Sequence, residues 1–306
     1  MEKRILLTGS NGFIGHRLAE SFQKQDWDLL CLSKSDNKNS FIKNSQFQQI
    51  NLAEETALLE EIFHTFRPTH IFNTAATSSV AHCQEEPEET MLLNAHAAEQ
   101  LAKLSRAHNA HLIHFSTDFV YDGKQQSPYK EEDTKSPCNV YGESKLQAEN
   151  RIVNSGCLST ILRVVLVYGP KVQSYIRNDF VSLVVNKLQE KDNFQAVSDH
   201  IRMPTYLEDI IAICQSLISK PVAGIFNLPG ADTVSVYEFA LKVAEVWGLQ
   251  ANLIQPITAE SIGQHKNRPQ NTTLDYSLAM QELGYTPTPL IDALKSYKNF
   301  ENERIK

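Results

Sequence analysis

Cysteine is sparse and never paired along this chain. The five thiols, Cys31, Cys83, Cys138, Cys157 and Cys214, are scattered and form no C-x-x-C. That spacing indicates neither a zinc site nor a disulfide framework, and it favours reduced thiols in a cytoplasmic protein. Long apolar runs are missing as well: no window reaches the ~20 residues of a membrane span. Met1-Glu2-Lys3-Arg4 leads straight into a strand-like stretch, so no signal-peptide core is expected. Positive charge is in short supply, with 29 Lys and Arg against 36 Asp and Glu. The net charge of −7 argues against nucleic acid as the main partner and leaves room for a local basic pocket for phosphates. No repeat or low-complexity tract appears.

What is present suits a soluble enzyme. The 306 residues, 42% hydrophobic and 21% charged, are enough for one large α/β unit or two coupled lobes. Ile5-Leu6-Leu7 reads as a strand ending at Thr8, and Phe13 to Gln23 carries helical periodicity. Between them lies Gly9-Ser10-Asn11-Gly12-Phe13-Ile14-Gly15. Strand, glycine turn and helix form the context of a dinucleotide-binding turn. There the backbone approaches a pyrophosphate and the helix N-terminus offers free N–H groups.

A second strand is expected at Leu29 to Leu32, closing at Ser33-Lys34-Ser35. An NAD site usually carries an acid about 20 residues past the glycines, for the ribose 2′-hydroxyl. Ser33 and Lys34 hold that place, with no carboxylate before Asp36. A cation beside small hydroxyls suits a 2′-phosphate, with Arg17 able to assist, so NADP(H) is favoured over NAD(H). The alternative is that Lys34 and Arg17 are solvated surface charges.

Phe47 to Ile50 is a weak third strand, and Asn51-Leu52 follow it. A helix from Glu54 to Phe66 would bury Leu58, Leu59, Ile62, Phe63 and Phe66, and Pro68 ends it. His70 to Asn73 is a fourth strand that runs into Thr74-Ala75-Ala76-Thr77, where small side chains would let a flat ring lie close to the backbone. Glu85-Glu86-Pro87-Glu88-Glu89 reads as a helix start rather than a ligand cluster, because proline and carboxylates both suit a first turn. That helix would run through Asn94 to about Ala107, before a fifth strand at Leu112 to Phe115. His108, His111 and His114 recur at threes, but on a strand that spacing crosses faces, and no acid or cysteine completes a metal set. The alternation of strands and helices implies an α/β fold with a parallel, doubly wound sheet.

The fifth strand delivers Ser116, Thr117 and Asp118 at its C-terminal end, where ligands bind in open α/β sheets. Downstream stands Tyr141-Gly142-Glu143-Ser144-Lys145 on a helix expected to continue through Glu149. Tyr141 and Lys145, four apart, share a helix face. An ammonium beside a phenol favours the phenolate and lowers its pKa from about 10, which makes Tyr141 a general acid or base. The Thr117 hydroxyl could polarise the same carbonyl.

The glycine turn, the string Ser116-Thr117-Asp118-Phe119-Val120-Tyr121-Asp122-Gly123 and Tyr141-Gly142-Glu143-Ser144-Lys145-Leu146 resemble the extended short-chain dehydrogenase/reductases. Within them the second string is similar to the dTDP-4-dehydrorhamnose reductase branch, and Arg202-Met203-Pro204-Thr205 and Arg268-Pro269 extend the likeness over nearly the whole chain. The resemblance implies a Rossmann-type sheet with a smaller C-terminal substrate lobe. It implies hydride transfer from a nicotinamide to a sugar ketone, with catalytic roles for Thr117, Tyr141 and Lys145 and with Asp118 beside them. Cofactor contacts would come from Gly9 to Gly15, Ser33, Lys34, Asn51, Leu52, Ala75, Ala76 and Ser116, with Tyr141 and Lys145 at the nicotinamide end. Thr77, Arg202 and Arg268 would meet a nucleotide sugar, and a homodimer is compatible with the family. Two departures mark the chain: Leu166 stands where the branch usually carries tryptophan, and Asn51 where many relatives carry an aspartate near the adenine. The regulatory subunit of methionine adenosyltransferase belongs to the same branch.

Past Gly169-Pro170 the alternation becomes irregular. A strand motif is expected at Arg163 to Gly169, helices at Asp179 to Leu188, Tyr206 to Ile218 and Ser235 to Trp247, and a last strand at Ile225 to Leu228. Val236, Phe239, Ala240, Val243 and Val246 would point inward, and the tail from Asn299 to Lys306 would fray. Residues 1–168 with a return segment at about 205–228 are expected to form the NADP(H)-binding domain, and about 169–204 with 229–306 the substrate lobe. Arg202 and Arg268 could clamp a diphosphate or carboxylate through a bidentate fork, or pair with interdomain acids. Three functions follow: a reductase of a 4-keto nucleotide sugar, another sugar-nucleotide reductase or epimerase, and a regulatory subunit that holds a cofactor without turnover.

Overall fold

The computed structural model describes residues 3–171 and 179–305. Met1, Glu2 and Lys306, parts of the N-terminal and tail expectations, lie outside those residues. In chain order the elements are β1 (Arg4–Thr8), α1 (Phe13–Gln23), β2 (Asp28–Ser33), β3 (Phe47–Gln49), α2 (Thr56–Phe66), β4 (His70–Asn73), α3 (Val80–Glu85), α4 (Pro87–Met91), α5 (Ala97–Ala107), β5 (His111–Thr117), α6 (Val140–Ser155) and β6 (Ser159–Val164). There follow α7 (Phe180–Gln189), β7 (Phe194–Val197), β8 (Ile201–Arg202), α8 (Leu207–Ser219), β9 (Gly224–Leu228), β10 (Val234–Ser235), α9 (Val236–Trp247), β11 (Ile254–Ile257), α10 (Ser277–Leu283) and α11 (Leu290–Ile305).

Two compact units emerge: Met1–Thr117 with Asn139–Leu162 and Ile211–Phe226, and Asp118–Cys138 with Arg163–Ile210 and Asn227–Lys306. The large sheet has the order β3-β2-β1-β4-β5-β6-β9, and β1 runs parallel to β2 and β4, as do β2 with β3 and β4 with β5. This is the doubly wound, Rossmann-type sheet. Its order reverses between β1 and β4, so Thr8 and Asn73 end side by side where such sheets take ligands. β4 and β5 are buried along their whole length because helices cover both faces.

Local chemistry explains the boundaries. In α2, Leu59, Ile62 and Phe63 are buried, with Leu58 and Phe66 packed against the same core. The helix stops at Arg67, which turns left-handed (φ 50°) before Pro68. The acidic run splits: Glu85 closes α3, while Pro87 opens α4 with Glu88 and Glu89 in its first turn. Between α4 and α5 one π turn, Leu92–His96, interrupts the regular helix.

The second unit has its own core, in which Tyr168, Val181, Val184, Phe239, Ala240, Val243, Leu294 and Tyr297 pack together. Asp179 caps α7 by accepting from Ser182 N at 2.8 Å, and Ser235 with Glu238 forms a capping box on α9. Two small sheets pair β7 with β11 and β8 with β10. Two expectations are corrected. The strand expected at Arg163–Gly169 ends at Val164, and Leu166 adopts φ 37°. The tail does not fray at Asn299, because α11 continues to Ile305 and buries Leu294 and Tyr297. Among the described residues no helix is long and apolar enough to cross a membrane.

Candidate active site

In the first unit the glycine turn is built by close backbone approach. Gly9 has φ 68°, and a Cβ there would lie 2.6 Å from Ala75 N; one on Gly15 would lie 2.2 Å from Gly9 O. Gly12 differs, because its φ is −79° and a Cβ would meet only Gly9 O at 3.1 Å. There α1 begins with no side-chain cap and no acid in its first turn, an arrangement that suits a phosphate at its N–H groups. Asn11 ties the turn to the segment after β2: its Nδ2 donates to Ser35 Oγ at 3.0 Å and to Asp36 O at 2.8 Å. Buried Asn39 donates to Asn11 Oδ1 at 3.2 Å and to Ser10 O at 3.3 Å. Sequence reasoning missed Asn39, since nothing local marks a loop asparagine as buried.

The two cations expected at a 2′-phosphate each face a carboxylate. Exposed Lys34 places Nζ 3.6 Å from Glu89, and Arg17 lies 3.1 Å from Glu20 on its own helix. The first pair is solvated and weak. The second is a neighbouring-turn pair that draws Arg17 along α1. Ser33 is half-buried at the end of β2. Asn51 Oδ1 accepts from Ala53 N at 3.3 Å, and Leu52 is buried beside it.

Small side chains do line the end of β4, with Ala75 half-buried and Ala76 exposed. The backbone of Thr77 is clamped by Asn94, which accepts from Thr77 N at 2.8 Å and donates to Thr77 O at 2.9 Å. The same amide donates to Ser144 Oγ at 2.9 Å, and Ser144 donates to Tyr141 O at 2.8 Å. Asn94 thus links the β4 loop to the first turn of α6. The π turn that carries it is its structural signature; the regular helical pattern of the sequence conceals it.

Helix α6 starts at Asn139, whose side chain accepts from Gly142 N at 2.7 Å. Tyr141 is half-buried in the first turn and Lys145 follows one turn later, 3% exposed. Burial lowers the Lys145 ammonium to about 8, against the upward pull of Glu149. Its Nζ lies 3.2 Å from Nε2 of His114 on β5. The other histidines of the run go elsewhere: His111 meets Thr160 Oγ1 at 2.7 Å, and His108 packs edge-on against Phe63. Thr117 ends β5 with 5% exposure, and Ser116 donates to Glu149 at 2.5 Å.

In the second unit Asp118 accepts from Thr272 Oγ1 and stands 3.8 Å from Arg202 Nε. Arg202 gives Nη1 to Ile201 O at 2.7 Å and Gln270 O at 3.1 Å, and Nη2 to Pro269 O at 2.6 Å. Arg202 thus faces an acid, one of the two roles expected of it. Its donors serve carbonyls and its charge faces an acid, so it pins β8 to the Pro269–Gln270 segment. Asp118, which the resemblance sets beside the catalytic groups, is held in the same knot. Gly123 (φ 73°) joins it, since a Cβ there would come within 2.6 Å of Gln270 N. Arg268 is half-buried, and burial lowers its guanidinium pKa. Leu166, 37% exposed, occupies a left-handed conformation that a bulky residue rarely adopts.

Residues 3–301 match the family described as RmlD substrate binding domain. The spore coat polysaccharide biosynthesis protein SpsK of Bacillus subtilis is 30% identical over 96% of this chain and 96% of its own. The methionine adenosyltransferase 2 subunit beta of Pongo abelii is 30% identical over 90% of this chain and 81% of its own. The structure of dTDP-4-dehydrorhamnose reductase from Bacillus anthracis in complex with NADP is similar in fold, with a TM-score of 0.87, 24% identity, and coverage of 98% of this chain and 100% of that one.

Proposed function

Because the chain belongs to the RmlD substrate binding domain family, we propose that it is an NAD(P)H-dependent reductase of a 4-keto nucleotide sugar, dTDP-4-dehydrorhamnose reductase-like. The observation that carries this reading is the buried Lys145, one turn from half-buried Tyr141 on α6, with its pKa lowered to about 8. A bound nicotinamide supplies hydride to the ketone carbon. Tyr141 then donates its proton to the oxygen that becomes anionic, and the Lys145 charge favours the phenolate left behind. The Thr117 hydroxyl donates to the same oxygen. The Gly12 end of α1 holds the pyrophosphate through backbone N–H groups, and Arg268 meets the substrate diphosphate.

NADP(H) is the proposed cofactor, because β2 ends in Ser33-Lys34 where an NAD site carries an acid. Fluorescence titration is the measurement: NADPH should bind more tightly than NADH, and Glu89→Gln should tighten NADPH alone by about 2–5-fold. Tight NADH binding with none for NADPH sinks the Lys34 argument.

NADPH consumption against a panel of 4-keto nucleotide sugars tests the activity, with Tyr141→Phe as control. Turnover that the variant loses supports the reductase; no turnover on any sugar, or equal turnover by the variant, removes it. A second reading, a cofactor-holding regulatory subunit, is favoured by the 30% identity to a methionine adenosyltransferase beta subunit. Binding of NADPH without turnover is its expected result.

A further inference from the structure

A buried row of polar groups runs across the first unit to Lys145. The sheet register places Thr8 opposite Asn73 and Asn73 opposite His114 on three adjacent strands. Thr8 Oγ1 lies 2.7 Å from Asn73 Oδ1, Asn73 Nδ2 lies 3.0 Å from His114 Nδ1, and His114 Nε2 lies 3.2 Å from Lys145 Nζ. None of the four side chains is more than 3% exposed. Burial first, and then the Lys145 charge, hold the imidazole neutral.

A neutral imidazole has one N–H and one lone pair, and an ammonium can only donate. A charged Lys145 therefore needs the lone pair at Nε2. The hydrogen then sits on Nδ1 and must meet the amide oxygen of Asn73. A neutral lysine both donates and accepts, so it alone admits a hydrogen on Nε2, with the Nδ1 lone pair meeting the Asn73 amide nitrogen that faces it while Thr8 donates to the amide oxygen. Two donors left facing each other in this dry site would leave both unsatisfied. The Thr8 hydroxyl both donates and accepts, so it serves either orientation of the amide.

We propose that His114 and Asn73 are positioning residues that couple the charge of Lys145 to the His114 tautomer: ammonium with Nδ1–H, amine with Nε2–H. The amide of Asn73 thereby helps to set the proton affinity of the lysine. The consequence for catalysis rests on the reading of Tyr141 and Lys145 as a working pair; the coupling itself does not. Glu149, one turn along α6, raises the Lys145 pKa, and Tyr141 lies one turn before it on the same helix. From β1 and β4 the neutral Thr8 and Asn73 face the pair. On the helix side Glu99 and His96 meet Arg151 instead.

The test is long-range ¹H–¹⁵N spectroscopy of the full chain labelled at histidine, from pH 6 to 10, with His114 assigned by its loss in His114→Gln. The wild type should pass from Nδ1–H to Nε2–H with a midpoint near 8, where Lys145 titrates. Lys145→Met should abolish the transition. Asn73→Asp, whose carboxylate only accepts, should hold Nδ1–H throughout and move the alkaline limb of the reductase rate up by about one pH unit. A single tautomer across the range in the wild type overturns the proposal, as does a transition that survives in Lys145→Met. Where that variant does not fold, a transition surviving in Asn73→Asp overturns it equally. The spectra need no substrate, so failure to reduce any sugar would refute the function while leaving this result to stand or fall separately.

Discussion

Ser116 Oγ donates to Glu149 Oε1 at 2.5 Å, and both residues are 2% exposed. The bond fastens the end of β5 to α6 one turn beyond Lys145. Removing the acid strips Ser116 of its acceptor, whereas removing the hydroxyl leaves a buried carboxylate short of a donor. Glu149→Ala should lower stability by ~2–4 kcal/mol and Ser116→Ala by ~1–3 kcal/mol, as read by chemical denaturation. Additive losses in the double variant would show that the two are not coupled.

Lys145 carries a pH signature in stability. Its pKa falls on folding from 10.5 to about 8, so between those values the unfolded chain binds more protons than the folded one. This residue's contribution is therefore flat below about 8 and rises with pH until the unfolded lysine also deprotonates. The difference in unfolding free energy between wild type and Lys145→Met should grow by roughly 3 kcal/mol across that window. A flat difference would mean that the ammonium is not desolvated. Glu149→Gln, which removes the upward pull on Lys145, should start the rise at lower pH.

The three glycines of the turn should separate by substitution. Gly15→Ala forces a Cβ to 2.2 Å from Gly9 O and Gly9→Ala adds a left-handed penalty, so both should lower the melting temperature markedly. Gly12→Ala fits the backbone (φ −79°) and should leave the fold intact. Its methyl group lies where a pyrophosphate would approach, so nucleotide affinity should fall by about tenfold or more. Unchanged affinity in that variant would remove the anion site from α1.

The two arginines of the second unit should behave oppositely. Arg202→Met removes the charge that faces buried Asp118 and the donor to Pro269 O, while Ile201 O and Gln270 O keep backbone donors, and should cost ~3–5 kcal/mol in denaturation. Arg268→Met should melt close to wild type while raising KM for the nucleotide sugar. Equal destabilisation by both would assign Arg268 to the scaffold.

Much of this was legible in residue order. Helix α1 is bounded by Phe13 and Gln23 as its periodicity indicates, and Ser235 and Asp179 announce the helices that they cap. Local pattern suffices where one apolar face or one cap decides the element. It does not suffice for β8 and β10, two residues each, which exist because distant partners supply their hydrogen bonds. Nor does it reveal that Asp118–Cys138 belongs with the second unit, since that follows from Thr272 and Pro269 far along the chain. At the site, Tyr141 and Lys145 declare themselves by spacing. His114 and Asn94 do not, because one needs the strand register and the other a π turn.

The sheet is finished by a strand that is made late. β9 flanks β6 in the sheet, yet about 60 residues separate Val164 from Gly224. At ribosomal rates of about 5–20 residues per second, β6 waits roughly 3–12 seconds for its neighbour. Throughout that interval the nascent chain presents an open strand edge, the feature that recruits foreign strands. Yield during expression should therefore depend on how quickly residues 165–228 are translated, and slow codons there should divert product into aggregates.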